Sequence, residues 1–144
     1  MAAAGMFSAS RKDRMMDLPS GLRYTKTHEW ARRESADLVI GITAHAQEEL
    51  RDVVYVEVPA TGRVVKQGEP VAVVESVKAA FDIYAPVSGA VTRSNSALQK
   101  TPQLANQDCY GQGWFFAIMP SHPEEFDELM TADEYGKLVQ AQAH

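Results

Sequence analysis

The chain has 144 residues, of which 45% are hydrophobic, and its formal net charge is −5. This length favours one domain, and the apolar content can form a core without disulfides, which the single cysteine, Cys109, cannot form within the chain. No apolar run is long enough to span a membrane, and the negative charge disfavours nucleic acid as a partner. No base motif surrounds Cys109, which is therefore expected to be a packed thiol and not a nucleophile.

Residues 1–20 are predicted to be a flexible N-terminal lead, and residues 21–142 a single domain. Residues 1–16 contain three basic side chains against Asp13 and no apolar h-region, which argues against a secretory signal. A short and weakly basic lead of this kind is more typical of a disordered tail than of a mitochondrial presequence.

The middle of the chain alternates short strand patterns with turn signals, as in a mainly-β domain. Strands are predicted at 38–42, 53–58, 71–76, 79–84, 89–93 and 114–118, and a further strand begins at 64–65 and ends at 67–68. In the second strand, alternation places Val54, Val56 and Val58 on one face.

One short helix is predicted in the middle of the chain. Thr43 is expected to cap a helix over 44–50, whereas the polar segment 94–106 is expected to be a loop.

Two further short helices are predicted after Pro120. In the first, Phe126, Leu129 and Met130 share one apolar face. In the second, Thr131 and Glu134 have the spacing of a capping box. The segment from Pro120 onward has six acidic residues and one basic residue, and such an acidic surface is suited to steer docking to basic patches on enzymes.

The most informative pattern is a lysine between two matched strands. Residues 71–76 and 79–84 flank Val77 and Lys78, which predicts a hairpin with a two-residue turn. Val77 is β-branched and resists positive φ, so a type I or looser turn is expected. Such a turn exposes the Lys78 head and fixes its base, which suits a covalent attachment point.

A lysine at a surface turn is usually only a solvated charge, but three spacings around Lys78 favour a function. Gly62 lies sixteen residues before it, Gly89 lies eleven after it, and Glu75 lies three before it. Glycines near the strand ends permit tight turns or close backbone approach.

With these spacings, the segment Glu75–Ala79 resembles the attachment motif of the biotinyl/lipoyl carrier domains. Within that group it is most similar to the glycine cleavage H-protein family, and the similarity runs from about Leu22 to about Leu138. Other segments that resemble the family in order and spacing are 24–30, 41–43, 46–50, 52–59, 84–89, 102–106 and 110–114.

The resemblance implies a mainly-β barrel-sandwich hybrid of two small sheets, with a short internal helix and C-terminal helices. It implies that lipoic acid is attached covalently to Lys78 Nζ by a lipoate ligase or lipoyltransferase. It further implies a monomeric, non-catalytic carrier that takes the aminomethyl group of glycine from a pyridoxal-phosphate-dependent glycine decarboxylase to a tetrahydrofolate-dependent aminomethyltransferase. Dihydrolipoamide dehydrogenase then reoxidises the arm. The expected location is the bacterial cytoplasm, or the mitochondrial matrix in a eukaryote.

Around the attachment site, Glu75 is expected to help the lipoylating enzyme select Lys78, and Val77 and Ala79 to set the shape of the turn. His28 and Glu29 are further candidates, for a cleft that shields the loaded arm. Adjacent residues on a strand face opposite ways, so His28 and Glu29 are not expected to form a catalytic pair.

The chain departs from the family pattern at several positions. Arg51 stands where the family usually has glycine, and would cost about 1 kcal/mol if it kept a left-handed helix cap. His45 and the preceding Ala44 replace an Asp-aromatic pair, Phe81 replaces a small residue, and Cys109 replaces a proline.

No enzyme constellation is visible, because the four histidines lack zinc-site spacing and no phosphate loop or nucleophile elbow is present. A catalytic site and a metal site are therefore not predicted. The alternatives that remain are a different lipoyl or biotin carrier, an H-like lipoyl donor, and an unmodified interaction protein on the same scaffold. Biotin carriers usually have Met-Lys-Met at the turn, and lipoyl domains of oxoacid dehydrogenases usually have Asp-Lys-Ala.

Overall fold

The structure, a computed structural model, describes residues 18–142 and contains nine short strands and five helices in that range. Most of the predicted N-terminal lead therefore lies outside the described residues. The elements in chain order are β1 (Arg23–Tyr24), β2 (Glu29–Glu34), β3 (Asp37–Ile42), α1 (Ala44–Leu50), β4 (Val53–Glu57), β5 (Val64–Val65), β6 (Pro70–Ser76), β7 (Ala80–Tyr84), β8 (Gly89–Ser94), α2 (Ser96–Lys100), α3 (Leu104–Gln107), β9 (Phe116–Pro120), α4 (Glu124–Asp127) and α5 (Ala132–Gln142).

The strands form two antiparallel sheets, which confirms the predicted mainly-β architecture of two sheets with peripheral helices. One sheet has six strands in the order β1-β2-β3-β9-β8-β5, and the other has three in the order β4-β6-β7. One apolar cluster joins the two, because Ile40 of β3, Ile118 of β9 and Val74 of β6 all belong to it and are fully buried. Burial of these apolar side chains is the main force that holds the sheets together.

Two helix starts predicted from capping residues are confirmed. Thr43 precedes α1, and its hydroxyl accepts a hydrogen bond from Ala46 N at 3.2 Å. Before α5, Thr131 N donates to the Glu134 carboxylate at 2.9 Å, and Glu134 N donates to the Thr131 hydroxyl at 3.3 Å. Each pair satisfies amides that the helix itself leaves without partners.

The predicted alternation in β4 is wrong because the strand contains a β-bulge. The register with β6 shifts between Val53 and Tyr55. As a result Val53 and Val56 are both buried, whereas Val54 and Tyr55 are both exposed. A bulge inserts one extra residue, and every side chain before it changes face.

The prediction of a loop over 94–106 is also wrong, because this segment contains the helices α2 and α3. Asn95 caps α2 by accepting a hydrogen bond from Ala97 N at 3.2 Å. Leu98 and Ala105 anchor the two helices in the core. Helices of four or five residues are too short to show a helical period in the sequence.

Near the C-terminal end, the last strand begins two residues later than predicted, at Phe116, and α4 is a single turn that ends at Asp127. Phe126 is buried as predicted, and Leu129 and Met130 are partly buried beyond the end of that turn. In the part of the chain described, no helix combines the length and hydropathy needed to cross a membrane.

The two glycines that flank the hairpin have the roles their spacing suggested. Gly62 has φ of 94° in a turn, and its N–H donates to Val91 O at 2.7 Å. At Gly89 a Cβ atom would lie 2.1 Å from Met119 O, so any side chain would collide with β9. Both positions therefore require glycine.

Arg51 keeps a backbone conformation that suits glycine, with φ of 67° and ψ of −148°. This is not the left-handed helical conformation for which the cost was expected; it lies near a region essentially exclusive to glycine, which costs another residue about 1–3 kcal/mol. Two hydrogen bonds hold the strained residue, from Arg51 N to Gln47 O at 3.1 Å and from Asn106 Nδ2 to Arg51 O at 2.7 Å.

Candidate functional site

The hairpin β6–β7 presents Lys78 at its tip. Glu75 pairs with Ala80, and Ser76 N donates to Ala79 O at 2.8 Å, so Val77 and Lys78 form the two-residue turn predicted from the sequence. Outside glycine, positive φ in the described residues occurs only at three positions elsewhere in the fold, His28, Ser35 and Arg51. The turn is therefore not a type I′ turn, as the β-branched Val77 required.

The hydroxyl of Ser76 organises this turn, a role that the sequence analysis did not assign. Its Oγ accepts hydrogen bonds from Lys78 N and Ala79 N, both at 3.1 Å, and lies 3.3 Å from Ala79 O. A serine that bonds backbone amides two and three residues ahead stabilises a turn. A serine immediately before the two turn residues was the available signal.

The tip is also braced from outside the hairpin by the segment that joins α1 to β4. Val77 N donates to Asp52 O at 3.0 Å, and Lys78 Nζ lies 3.5 Å from Glu49 O. Val77 itself is 69% exposed. The backbone of Lys78 is thus held at the tip, and its exposed side chain reaches back towards Glu49 O at the end of α1.

Glu75 lies on the outer face of the three-stranded sheet, beside the tip. It pairs with Tyr55 on one side and Ala80 on the other. Its side chain is exposed, so its carboxylate is accessible to a macromolecule that approaches Lys78.

A cleft of about 540 Å³ lies on the opposite, inner side of the same hairpin. One wall comes from β6 and β7, and the other from α1 and the turn before β2. Its apolar lining includes Ile42, Ala46, Leu50, Val74, Phe81 and Ile83. Glu49 is also a lining residue, and its carbonyl group is the one that Lys78 Nζ approaches. The cleft therefore opens beside the lysine.

His28 lies at the polar end of this cleft. Its Nδ1 is 2.7 Å from the Tyr135 hydroxyl, which in turn lies 2.7 Å from the Thr43 hydroxyl. The His28 and His45 rings are 4.6 Å apart, centroid to centroid. Burial, reinforced by the neighbouring His45, lowers the pKa of His28 to about 4. His28 is therefore neutral at neutral pH.

Glu29 is almost fully buried and, unlike His28, is not a lining residue of this cleft. Its carboxylate accepts hydrogen bonds from the hydroxyls of Thr25 and Thr27 and from Tyr84 N, at the end of β7. Burial raises the pKa of Glu29, although these hydrogen bonds oppose the shift. Its position adjoins a second groove of about 570 Å³ that shares Lys26, Thr27 and Tyr84 with the cleft.

This arrangement fits a long acyl group attached to a lysine. The amine is accessible and its backbone is held, while an apolar cleft begins beside it and can receive an alkyl chain. Lys78 would hold the group through an amide bond, and the apolar residues along β7 would contact its alkyl chain.

A two-sheet β domain that presents a lysine on a braced hairpin tip is the architecture of a biotinyl or lipoyl carrier. The family profile described as glycine cleavage H-protein matches residues 22–142. The chain therefore belongs to the glycine cleavage H-protein family. Its function is that of an H protein of the glycine cleavage system, a non-catalytic carrier of a covalent lipoyl group.

Individual relatives agree with this assignment over nearly the whole chain. The glycine cleavage system H protein of Thermus thermophilus is 54% identical over 128 residues, which is 89% of this chain and 100% of that protein. The H protein of Shewanella frigidimarina is 50% identical over 126 residues, covering 87% and 98%. A crystal structure of a glycine cleavage system H protein from Mycobacterium marinum superposes with a TM-score of 0.80 at 34% identity, covering 85% of this chain and 99% of that one.

Proposed function

We propose that Lys78 is the residue that carries the lipoyl group. The observation that supports this most directly is its position at a turn whose backbone is held by the Ser76 hydroxyl and the Asp52 carbonyl. Such a base holds the tip in place, while the exposed head can leave its 3.5 Å contact with Glu49 O to enter an active site. When attached, the lipoyl group supplies a dithiolane that accepts the aminomethyl group and passes it on.

The residues of the chain supply reach, shelter and recognition. The cleft beside β7 shelters the arm between encounters, and its neutral His28 end adds no positive charge that would repel a loaded amine. Glu29 acts indirectly, because its carboxylate fixes the turn that carries His28 and the end of β7. Tethering also raises the effective concentration of the arm at each docked active site.

Membership of the glycine cleavage system supports three enzyme partners: glycine decarboxylase, aminomethyltransferase and dihydrolipoamide dehydrogenase. A lipoate ligase or lipoyltransferase must first modify Lys78. In that step the enzyme recognises the exposed Glu75 and thereby selects Lys78, and Val77 and Ala79 hold the lysine in the required turn. Residues 21–142 form the carrier domain, which acts as a monomer, and residues 1–20 are a lead whose Leu18 and Pro19 contact that domain. The bacterial relatives support a cytoplasmic location, and a eukaryotic source would place the chain in the mitochondrial matrix.

The proposal is tested by reconstituting glycine oxidation with the three partner enzymes and the lipoylated chain. Lys78→Arg keeps the charge but cannot be lipoylated, so NADH formation is expected to fall to the background seen without the chain. Lys66→Arg is the matched control, because Lys66 is also exposed in a tight turn, and it is expected to retain full activity. Activity of Lys78→Arg at the level of Lys66→Arg would refute the assignment.

A further inference from the structure

Phe81 is an exposed aromatic residue on the side of the hairpin where buried residues are expected. It pairs with Val74, and residues directly opposite each other in antiparallel strands point to the same face. Val74 is fully buried, yet Phe81 is 52% exposed. Phe81 is also a lining residue of the cleft of about 540 Å³.

The position of Phe81 relative to Lys78 decides what the ring can contact. Phe81 lies on β7, three residues after Lys78 of the turn, so it is roughly 10 Å along the chain from the proposed attachment point. An arm attached to Lys78 that folds back along β7 must pass Phe81 before it reaches the polar His28 end of the cleft. The apolar chain and the polarisable sulfur atoms of a dithiolane both pack favourably on an aromatic ring.

We propose that Phe81 is a positioning residue that holds the lipoyl arm in the cleft, in contact with its apolar chain and its sulfur atoms. This inference rests on the proposed attachment at Lys78 and goes beyond it. Contact with the arm covers exposed surface of the ring and shifts the arm from a freely swinging population to a docked one. Phe81 therefore sets how much of the time the sulfur atoms of the arm are accessible to solvent.

The test is the rate at which iodoacetamide alkylates the reduced arm of the lipoylated protein. Lipoyl occupancy at Lys78 is first measured by peptide mass. Unlipoylated protein gives the background from Cys109, which is expected to be low because burial raises the pKa of that thiol to about 12. Free dihydrolipoamide gives the rate for an arm that is not docked.

Phe81→Ala is expected to raise the alkylation rate roughly three- to tenfold, towards that of free dihydrolipoamide. Phe81→Leu, which keeps an apolar contact, is expected to lie closer to wild type. Tyr55→Ala is the matched control, because Tyr55 is 45% exposed on the same sheet but pairs with Glu75 on the outer face. Its rate is expected to equal that of wild type.

Four results would overturn the proposal. A wild-type arm that reacts as fast as free dihydrolipoamide, or equal rates in Phe81→Ala and wild type, would remove the role of Phe81 and leave attachment at Lys78 intact. An equal increase in Tyr55→Ala would also remove it, since the effect would not depend on the cleft. Absence of lipoyl at Lys78 would instead overturn the attachment site, and the role of Phe81 with it.

Discussion

The residues around Lys78 lie on the two opposite faces of one short sheet. Glu75 lies on the outer face, where an approaching enzyme meets it, whereas Phe81 lies on the inner face beside the cleft. Lys78 is between them at the tip. Under the proposed function, one face serves recognition of the lysine, and the other serves storage of the arm.

Glu75→Ala is expected to fold normally and to be lipoylated poorly. The Glu75 side chain is exposed at a strand surface, and such substitutions usually change stability by less than about 0.5 kcal/mol. Lipoylation is measured as the initial rate with a lipoate ligase, by intact mass. Glu57→Ala removes another exposed carboxylate of the same sheet, on β4, and is expected to behave as wild type. Equal rates for wild type and Glu75→Ala would show that the carboxylate only solubilises the tip.

His28 predicts a pH dependence of stability. Its pKa is about 4 in the folded chain and about 6.5 when unfolded, so the unfolded state binds more protons between these values. Stability therefore falls as the pH decreases from 6.5 to 4, by up to about 3 kcal/mol. The charged or titratable groups that face the ring are His45 and Glu49 of α1 and Tyr135 of α5.

The contribution of His28 is isolated by comparing wild type with His28→Asn, since asparagine tolerates the φ of 76° at this position. Urea unfolding between pH 7 and pH 4 is expected to show a smaller loss of stability in the variant. Glu29 has a raised pKa and acts in the opposite direction, but it is present in both proteins. The same pH slope in both would contradict the assignment of the effect to His28.

At the scale of the element, the hairpin tip depends on one hydroxyl group. Ser76→Ala removes the acceptor of Lys78 N and Ala79 N, and is expected to cost about 1 kcal/mol. Amide hydrogen exchange at these two positions should become several-fold faster. Ser76→Thr keeps the hydroxyl and should restore protection. If exchange at Lys78 and Ala79 is unchanged in Ser76→Ala, the backbone pairing alone holds the turn.

Elements whose cause is local in sequence could be predicted, and the others could not. The α1 cap at Thr43, the box between Thr131 and Glu134, and the turn at Lys78 each depend on side chains within a few residues. The bulge in β4 depends on its partner strand, and helices as short as α2 and α3 depend on the core that anchors them. Tertiary context overrides local pattern at such places.

The cleft belongs to the second class, because residues distant in sequence build it. His28 meets Tyr135, 107 residues away, and the neighbouring wall comes from α1 and β7. The sequence indicated that His28 and Glu29 face opposite ways, but not which cavity each of them lines. Phe81 was visible in the sequence only as a departure from the family pattern.

At the scale of the whole molecule, the negative charge is unevenly distributed. The segment from Pro120 onward has a net charge of −5, and residues 1–119 contain thirteen basic and thirteen acidic side chains, a net charge of zero. Part of this acidity is used within the fold, since Glu125 accepts hydrogen bonds from Ser88 N at 2.7 Å and from the Ser88 hydroxyl at 3.2 Å. The other acidic side chains of this segment are exposed, and such charge is suited to steer the carrier towards basic surfaces.

The central claim is that Lys78 carries the lipoyl arm, and peptide mapping by mass spectrometry tests it most directly. The chain is co-expressed with a lipoate ligase and lipoate, next to an established H protein as a positive control. One lipoyl group is expected, located on Lys78 and on none of the other lysines. A folded chain that remains unmodified while the control is fully lipoylated, or a lipoyl group on another lysine, would contradict the account.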